Sequence, residues 1–98
     1  MALEIKWTKR AEISFQRIVE YIEEEWSEKT AAKFVKKVNM FLKALELQPD
    51  IGKIEVEDKG IRGFVFSRQT TIFYRIKNNR IILLNFFDNR KNSKSKRI

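Results

Sequence analysis

The sequence predicts an α+β fold: an N-terminal strand, a two-helix hairpin, then an antiparallel β-sheet with the helices packed on one sheet face. Three observations predict it. The hydrophobic period changes from helical to two at Pro49. Two amphipathic stripes lie before that point with almost no linker between them, which favours an antiparallel helix pair. After it, Asn78-Asn79 separates two apolar runs, and Asn tolerates the left-handed backbone that a tight hairpin turn requires.

Leu3, Ile5 and Trp7 alternate with polar residues and define a short first strand. Thr8 is a natural N-cap, because its hydroxyl accepts one of the free N–H groups of the first helical turn. Ala11, Phe15, Ile18, Ile22 and Trp26 then recur at spacings of three and four, forming the core stripe of the first helix. Ser27 caps the next helix, whose stripe is Ala31, Phe34, Val35, Val38, Phe41, Leu42 and Leu45. Glu23-Glu24-Glu25 lies at the corner between them as solvated surface. Lys53–Glu57 is an edge strand. Ile61–Ser67, Thr70–Lys77 and Arg80–Phe87 are three stronger strands, the last with apolar residues on both parities, as in a strand buried on both faces. The expected core includes Ile18, Ile22, Phe34, Val38, Phe41, Tyr74 and Leu83. Residues 1–88 read as one domain and 89–98 as a basic flexible tail.

Composition narrows the chemistry. The 98 residues contain no cysteine and no histidine, so thiolate chemistry, disulfides and the usual general base and metal ligand are absent. No carboxylate pair, nucleotide-binding glycine loop or metal-ligand spacing is present; no metal and no cofactor is expected. No apolar run approaches the ~20 residues of a membrane span and no apolar signal core opens the chain, so a cytoplasmic protein without membrane contact is expected.

Charge is divided along the chain. Residues 1–58 hold 10 basic and 12 acidic side chains, whereas 59–98 hold 11 basic and a lone acid, Asp88. Displayed on strands, such a surface suits a polyanion or an acidic partner. Symmetric two-residue turns at Arg68-Gln69 and Asn78-Asn79 would pair Phe66 with Thr71, Phe64 with Phe73, Arg62 with Arg75, Phe73 with Leu84 and Thr71 with Phe86. That register gathers Ile61, Val65, Ile72, Tyr74, Ile76, Ile81, Leu83 and Phe87 on the helix-covered face. The opposite face then carries Arg62, Arg75, Lys77 and Arg80 at one end and Phe64, Phe66, Phe73, Ile82, Leu84 and Phe86 along the rest. Two uses of the arginines stand side by side: binding an anionic partner, or lying over the rings to shield that face. Like charges across a ladder repel, so Arg62 opposite Arg75 costs stability. A one-residue register slip would undo the cluster. Asp88 is expected to pair with Arg90 or Arg68.

The element order resembles the RelE/ParE superfamily of bacterial toxins over nearly the whole chain. The resemblance is carried by Ile5-Lys6-Trp7-Thr8 leading into Ala11, by Tyr21-Ile22 with Trp26, and by Arg62 before the third strand's aromatics. It continues through Phe73-Tyr74-Arg75-Ile76, Arg80-Ile81-Ile82-Leu83-Leu84 and Phe87-Asp88-Asn89-Arg90-Lys91. It implies a growth-inhibiting, plasmid-stabilising toxin of a type II toxin–antitoxin system, neutralised by a cognate antitoxin protein. ParE-like members poison DNA gyrase; RelE-like members cleave ribosome-bound mRNA. Arg62 and Arg75 would correspond to the phosphate-binding arginines of the RelE branch; in a ribonuclease they and Arg80 would bind the scissile phosphate, with a lysine or Tyr74 managing protons. RelE-like toxins, however, carry a C-terminal tyrosine or histidine base, and nothing from Asp88 to Ile98 supplies one, which favours the ParE-like branch. The residues expected to meet target or antitoxin are Arg62, Phe64, Phe73, Arg75, Lys77, Arg80, Arg90 and Lys91. A nucleic-acid-binding adaptor without toxicity is a further alternative.

Overall fold

The computed structural model describes residues 2–90. In chain order they form β1 (Glu4–Trp7), α1 (Lys9–Glu25), α2 (Glu28–Leu47), β2 (Lys53–Val56), β3 (Ile61–Ser67), β4 (Thr70–Lys77) and β5 (Arg80–Asp88). The strands make one sheet in the order β1-β5-β4-β3-β2. Strands β2 to β5 form an antiparallel meander, while β1 returns to pair parallel with β5, Ile5 beside Ile81 and Trp7 beside Leu83. The predicted strand, helix hairpin and antiparallel sheet are all present, with both helices on one face. The expected tail lies mostly outside the described residues.

Both helix starts are set by hydroxyl caps. The Thr8 hydroxyl accepts from the Ala11 N–H at 3.1 Å, and Ser27 accepts from the Thr30 N–H at 3.0 Å. Thr8 also donates its hydroxyl hydrogen to the Leu83 carbonyl at 2.8 Å, fastening the start of α1 to the sheet. Trp26 departs from the expected core stripe and is 71% exposed. It is the C-cap of α1, where the backbone leaves helical geometry, so the stripe's rotation no longer aims its ring at the sheet.

The register is where sequence and structure part. Both two-residue turns form, with Ser67 opposite Thr70 and Lys77 opposite Arg80. Asn78 and Asn79 take φ of 53° and 61°, as the hairpin turn demands. Two bulges then shift the pairing farther along the strands. Phe66 is the extra residue in β3, so Val65 faces Thr71, Phe64 faces Ile72, Arg62 faces Tyr74 and Arg75 faces Ile61. Leu84 is the extra residue in β5, so Phe73 faces Asn85 and Ile72 faces Phe86. None of the expected pairs Phe66–Thr71, Phe64–Phe73, Arg62–Arg75, Phe73–Leu84 and Thr71–Phe86 exists.

The face assignments change accordingly. Phe64, Phe66 and Phe86 turn inward and join a run of rings between sheet and helices. Phe41 stacks on Phe64 at 4.5 Å and meets Phe66 at 5.7 Å; Phe34 meets Phe66 at 5.8 Å and Phe15 at 6.0 Å; Trp7 stacks on Phe86 at 5.3 Å. Such pairs each add about 0.5–1.5 kcal/mol beyond the area they bury, which is the physical reason for the bulges. Ile61, Val65 and Phe87 go to the opposite face instead, where Val65 is 67% exposed. Tyr74, Leu83, Val38 and Ile18 are buried as expected, with Ile22, Phe34 and Phe41 packed partly buried against them.

Candidate functional site

The four expected ribonuclease residues do not converge. Arg62 lies on the helix side and donates to the backbone carbonyls of Gly52 at 2.7 Å and Asp50 at 3.2 Å. Beside it, Tyr74 is fully buried; its hydroxyl accepts from the Gly52 N–H and donates to the Pro49 carbonyl, both at 2.8 Å. Together these side chains pin the loop between α2 and β2. Gly52 is needed there, because a Cβ would lie 2.7 Å from the Tyr74 hydroxyl. Burial pushes the Tyr74 phenol above its ordinary pKa, outweighing the Gly52 N–H and the Arg62 charge, which pull the other way. A neutral phenol with both hydrogen-bonding roles occupied is a structural group.

Arg75 is on the other face, flanked by Ile61 and Ile82 in the ladders. Lys77 and Arg80 share that face across the Asn78-Asn79 turn, and Arg80 approaches Glu4 at 3.9 Å. The Arg75 Nε is buried and has no hydrogen-bond partner among the described residues. The expected cluster is thus divided: Arg75, Lys77 and Arg80 stay together, and Arg62 is removed from them by the β3 bulge.

The expected exposed aromatic strip is corrected in the same way. Phe64 is covered by Phe41, Phe86 is 2% exposed, and Phe73 is fully buried although it faces away from the helices. Phe73 fits because residue 63 is glycine: a Cβ there would meet the ring at 2.9 Å. Phe73 also contacts Phe87 edge-on, with ring centroids 6.4 Å apart.

A different surface is concave. Between α1 and the second half of β5 lies a groove of about 880 Å³. Its α1 wall is Arg10, Ile13, Ser14, Arg17 and Tyr21, residues three or four apart and therefore on one helix side. Its β5 wall includes Asn85, Phe86, Asp88 and, just beyond, Arg90. The groove opens because β1 stops pairing at Leu83; three residues later the Phe86 N–H donates to the Ser14 hydroxyl at 2.9 Å. At the far end Arg90 stacks over the Tyr21 ring at 3.6 Å. It pairs with Asp88, its Nε donating to Oδ1 at 2.8 Å, which raises the guanidinium pKa further. Of the two partners expected for Asp88, Arg90 is the one it meets. Arg90, one of the residues expected to meet target or antitoxin, lines this groove, while Lys91 lies outside the described residues.

Sequence reasoning missed Arg10, Arg17 and Tyr21. Their spacing with Ile13 was available as a second stripe, next to the core stripe of α1. Among the described residues no group of three metal-ligating side chains comes together, and no helix is long and apolar enough to cross a membrane.

Comparisons with known proteins agree with this architecture. Residues 5–92 match the model of the ParE toxin of the type II toxin–antitoxin system parDE. No curated protein sequence matches. Among solved structures, a chain of the chromosomal ParDE toxin–antitoxin system of P. aeruginosa superposes with a TM-score of 0.74 at 22% identity, covering 89% of this chain and 96% of that one. A chain of the RelBE2 toxin–antitoxin complex of Mycobacterium tuberculosis gives 0.61 at 15% identity, covering 90% and 99%. The YoeB/ParE toxin of Agrobacterium tumefaciens gives 0.61 at 14% identity, covering 88% and 98%. With the family model spanning nearly the whole described chain, the protein belongs to the ParE toxin family within the RelE/ParE superfamily of type II toxin–antitoxin toxins.

Proposed function

We propose that this toxin acts in the ParE-like manner, by docking on DNA gyrase and breaking no bond itself, and that a cognate antitoxin neutralises it in the cytoplasm. The observation that carries this reading is the use made of Arg62 and Tyr74. A ribonuclease built on them needs a guanidinium and a phenol facing a phosphate. Here both are spent on the Pro49–Gly52 loop, on the face opposite Arg75. The family match supports the same branch.

The groove along α1 is the surface this reading gives to the antitoxin. Its arginines suit an acidic segment, and exposed Ile13 and Tyr21 suit that segment's apolar side chains. The second reading, a ribosome-dependent mRNA endonuclease, draws on the unpartnered Arg75 Nε beside Lys77 and Arg80. Primer extension on mRNA from translating ribosomes incubated with the protein separates the two. No new 5′ ends are expected; cuts within codons that vanish on Arg75→Ala would establish the second reading.

A further inference from the structure

We propose that the solvent face of α2 binds the phosphate backbone of duplex DNA. Lys29, Lys33, Lys36, Lys37 and Lys43 are all exposed and, at helical spacing, fall within an arc of roughly 120°. They form a row about 21 Å long. None of them takes part in an ion pair among the described residues, although α1 alongside is rich in glutamate. The two acids of α2, Glu28 and Glu46, lie outside the arc. Like charges along one helix face repel, and that repulsion is relieved when a polyanion binds and its counterions are released.

The chemistry of the row selects the polyanion. The aromatics of α2, Phe34 and Phe41, are turned to the sheet, so the row has no ring on which an unstacked base could lie. That disfavours single strands, whose binding depends on stacking. A lysine ammonium can donate to a 2′-hydroxyl oxygen as it does to a phosphate, but the row holds no acceptor for the hydroxyl hydrogen, so it gains nothing specific to duplex RNA. What remains is a straight set of ammonium groups matched to backbone phosphates, which reads no sequence. This surface lies on α2, distinct from the α1–β5 groove and the Arg75 patch, and the inference does not depend on how the toxin acts on its target.

The test is fluorescence anisotropy of the full-length chain on a labelled 20-base-pair DNA duplex of arbitrary sequence, titrated across salt concentrations. Binding in the range of about 10⁻⁴–10⁻⁶ M is expected, with log K falling against log salt at up to about −0.9 per lysine engaged. The triple variant Lys33→Gln, Lys36→Gln, Lys37→Gln should make that slope shallower by about 2.7. Glutamine is nearly as good a helix former as lysine, so the variant should melt with the wild type. A second variant, Lys94→Gln with Lys96→Gln and Arg97→Gln, controls for the basic C-terminal segment. An unchanged slope in the α2 variant, or its complete loss in the C-terminal variant, overturns the proposal. Tighter binding to a duplex RNA or single strand of equal length also overturns it.

Discussion

At the scale of single residues, Tyr74 shows how a side chain with catalytic chemistry becomes a structural one. Its burial was legible in its parity, because Ile72, Tyr74 and Ile76 alternate with Phe73 and Arg75. Its partners were not, since they are backbone groups of the Pro49–Gly52 loop and no pattern of side chains announces them. Removing the hydroxyl leaves the Gly52 N–H and Pro49 carbonyl unpaired. Tyr74→Phe should therefore lose about 1–3 kcal/mol, lowering the melting temperature by roughly 4–8 °C for each kcal/mol. The pH dependence has a definite sign. The folded-state pKa is raised above the unfolded value near 10, so the phenol's contribution is fully present below pH 10. It is lost as pH rises from there through the folded-state pKa. Urea denaturation at pH 9 and 11 should show a decline for wild type that is smaller for Tyr74→Phe. Gly63→Ala should also destabilise, since the new methyl would press on the buried Phe73 ring; a melting temperature equal to wild type would contradict that packing.

At the scale of elements, every strand and helix was legible, and so were both hairpin turns and both hydroxyl caps. The register was not. Turn chemistry fixes pairing only next to the turn, and a bulge placed by ring packing several residues away changes the parity of everything beyond it. Phe64 and Phe66 could face either side by pattern alone; the rings of Phe34 and Phe41 on α2 decide the matter. Hence the arginine cluster read from sequence was half right, with Arg75, Lys77 and Arg80 together and Arg62 elsewhere. The Asn78-Asn79 turn gives a test at this scale. Asn79 sits at φ 61°, so Asn79→Gly should be neutral or stabilising, whereas Asn79→Val should cost roughly 1–2 kcal/mol, both read by chemical denaturation. For α1, the groove assignment predicts that Arg17→Ala slows association with the antitoxin and flattens its salt dependence, leaving the melting temperature unchanged. A normal association rate at low salt would remove Arg17 from the interface.

At the scale of the molecule, basic side chains from both halves of the chain are gathered into separate patches. The strand-borne Arg75, Lys77 and Arg80, the α1 wall of the groove and the lysine face of α2 are three separate basic surfaces. A net charge of +8 on 98 residues is more than folding requires, and it favours encounter with acidic or phosphate-bearing partners. The sheet and helix hairpin hold these surfaces, and Arg62 and Tyr74 are absorbed into the scaffold. The proposal that the toxin works by docking on gyrase is decided by ATP-dependent supercoiling of relaxed plasmid with purified DNA gyrase. Adding the toxin should reduce the supercoiled product in proportion to its concentration, and Tyr74→Phe, assayed below its melting temperature, should inhibit as well as wild type. Full supercoiling in the presence of excess folded toxin would rule out gyrase as the target.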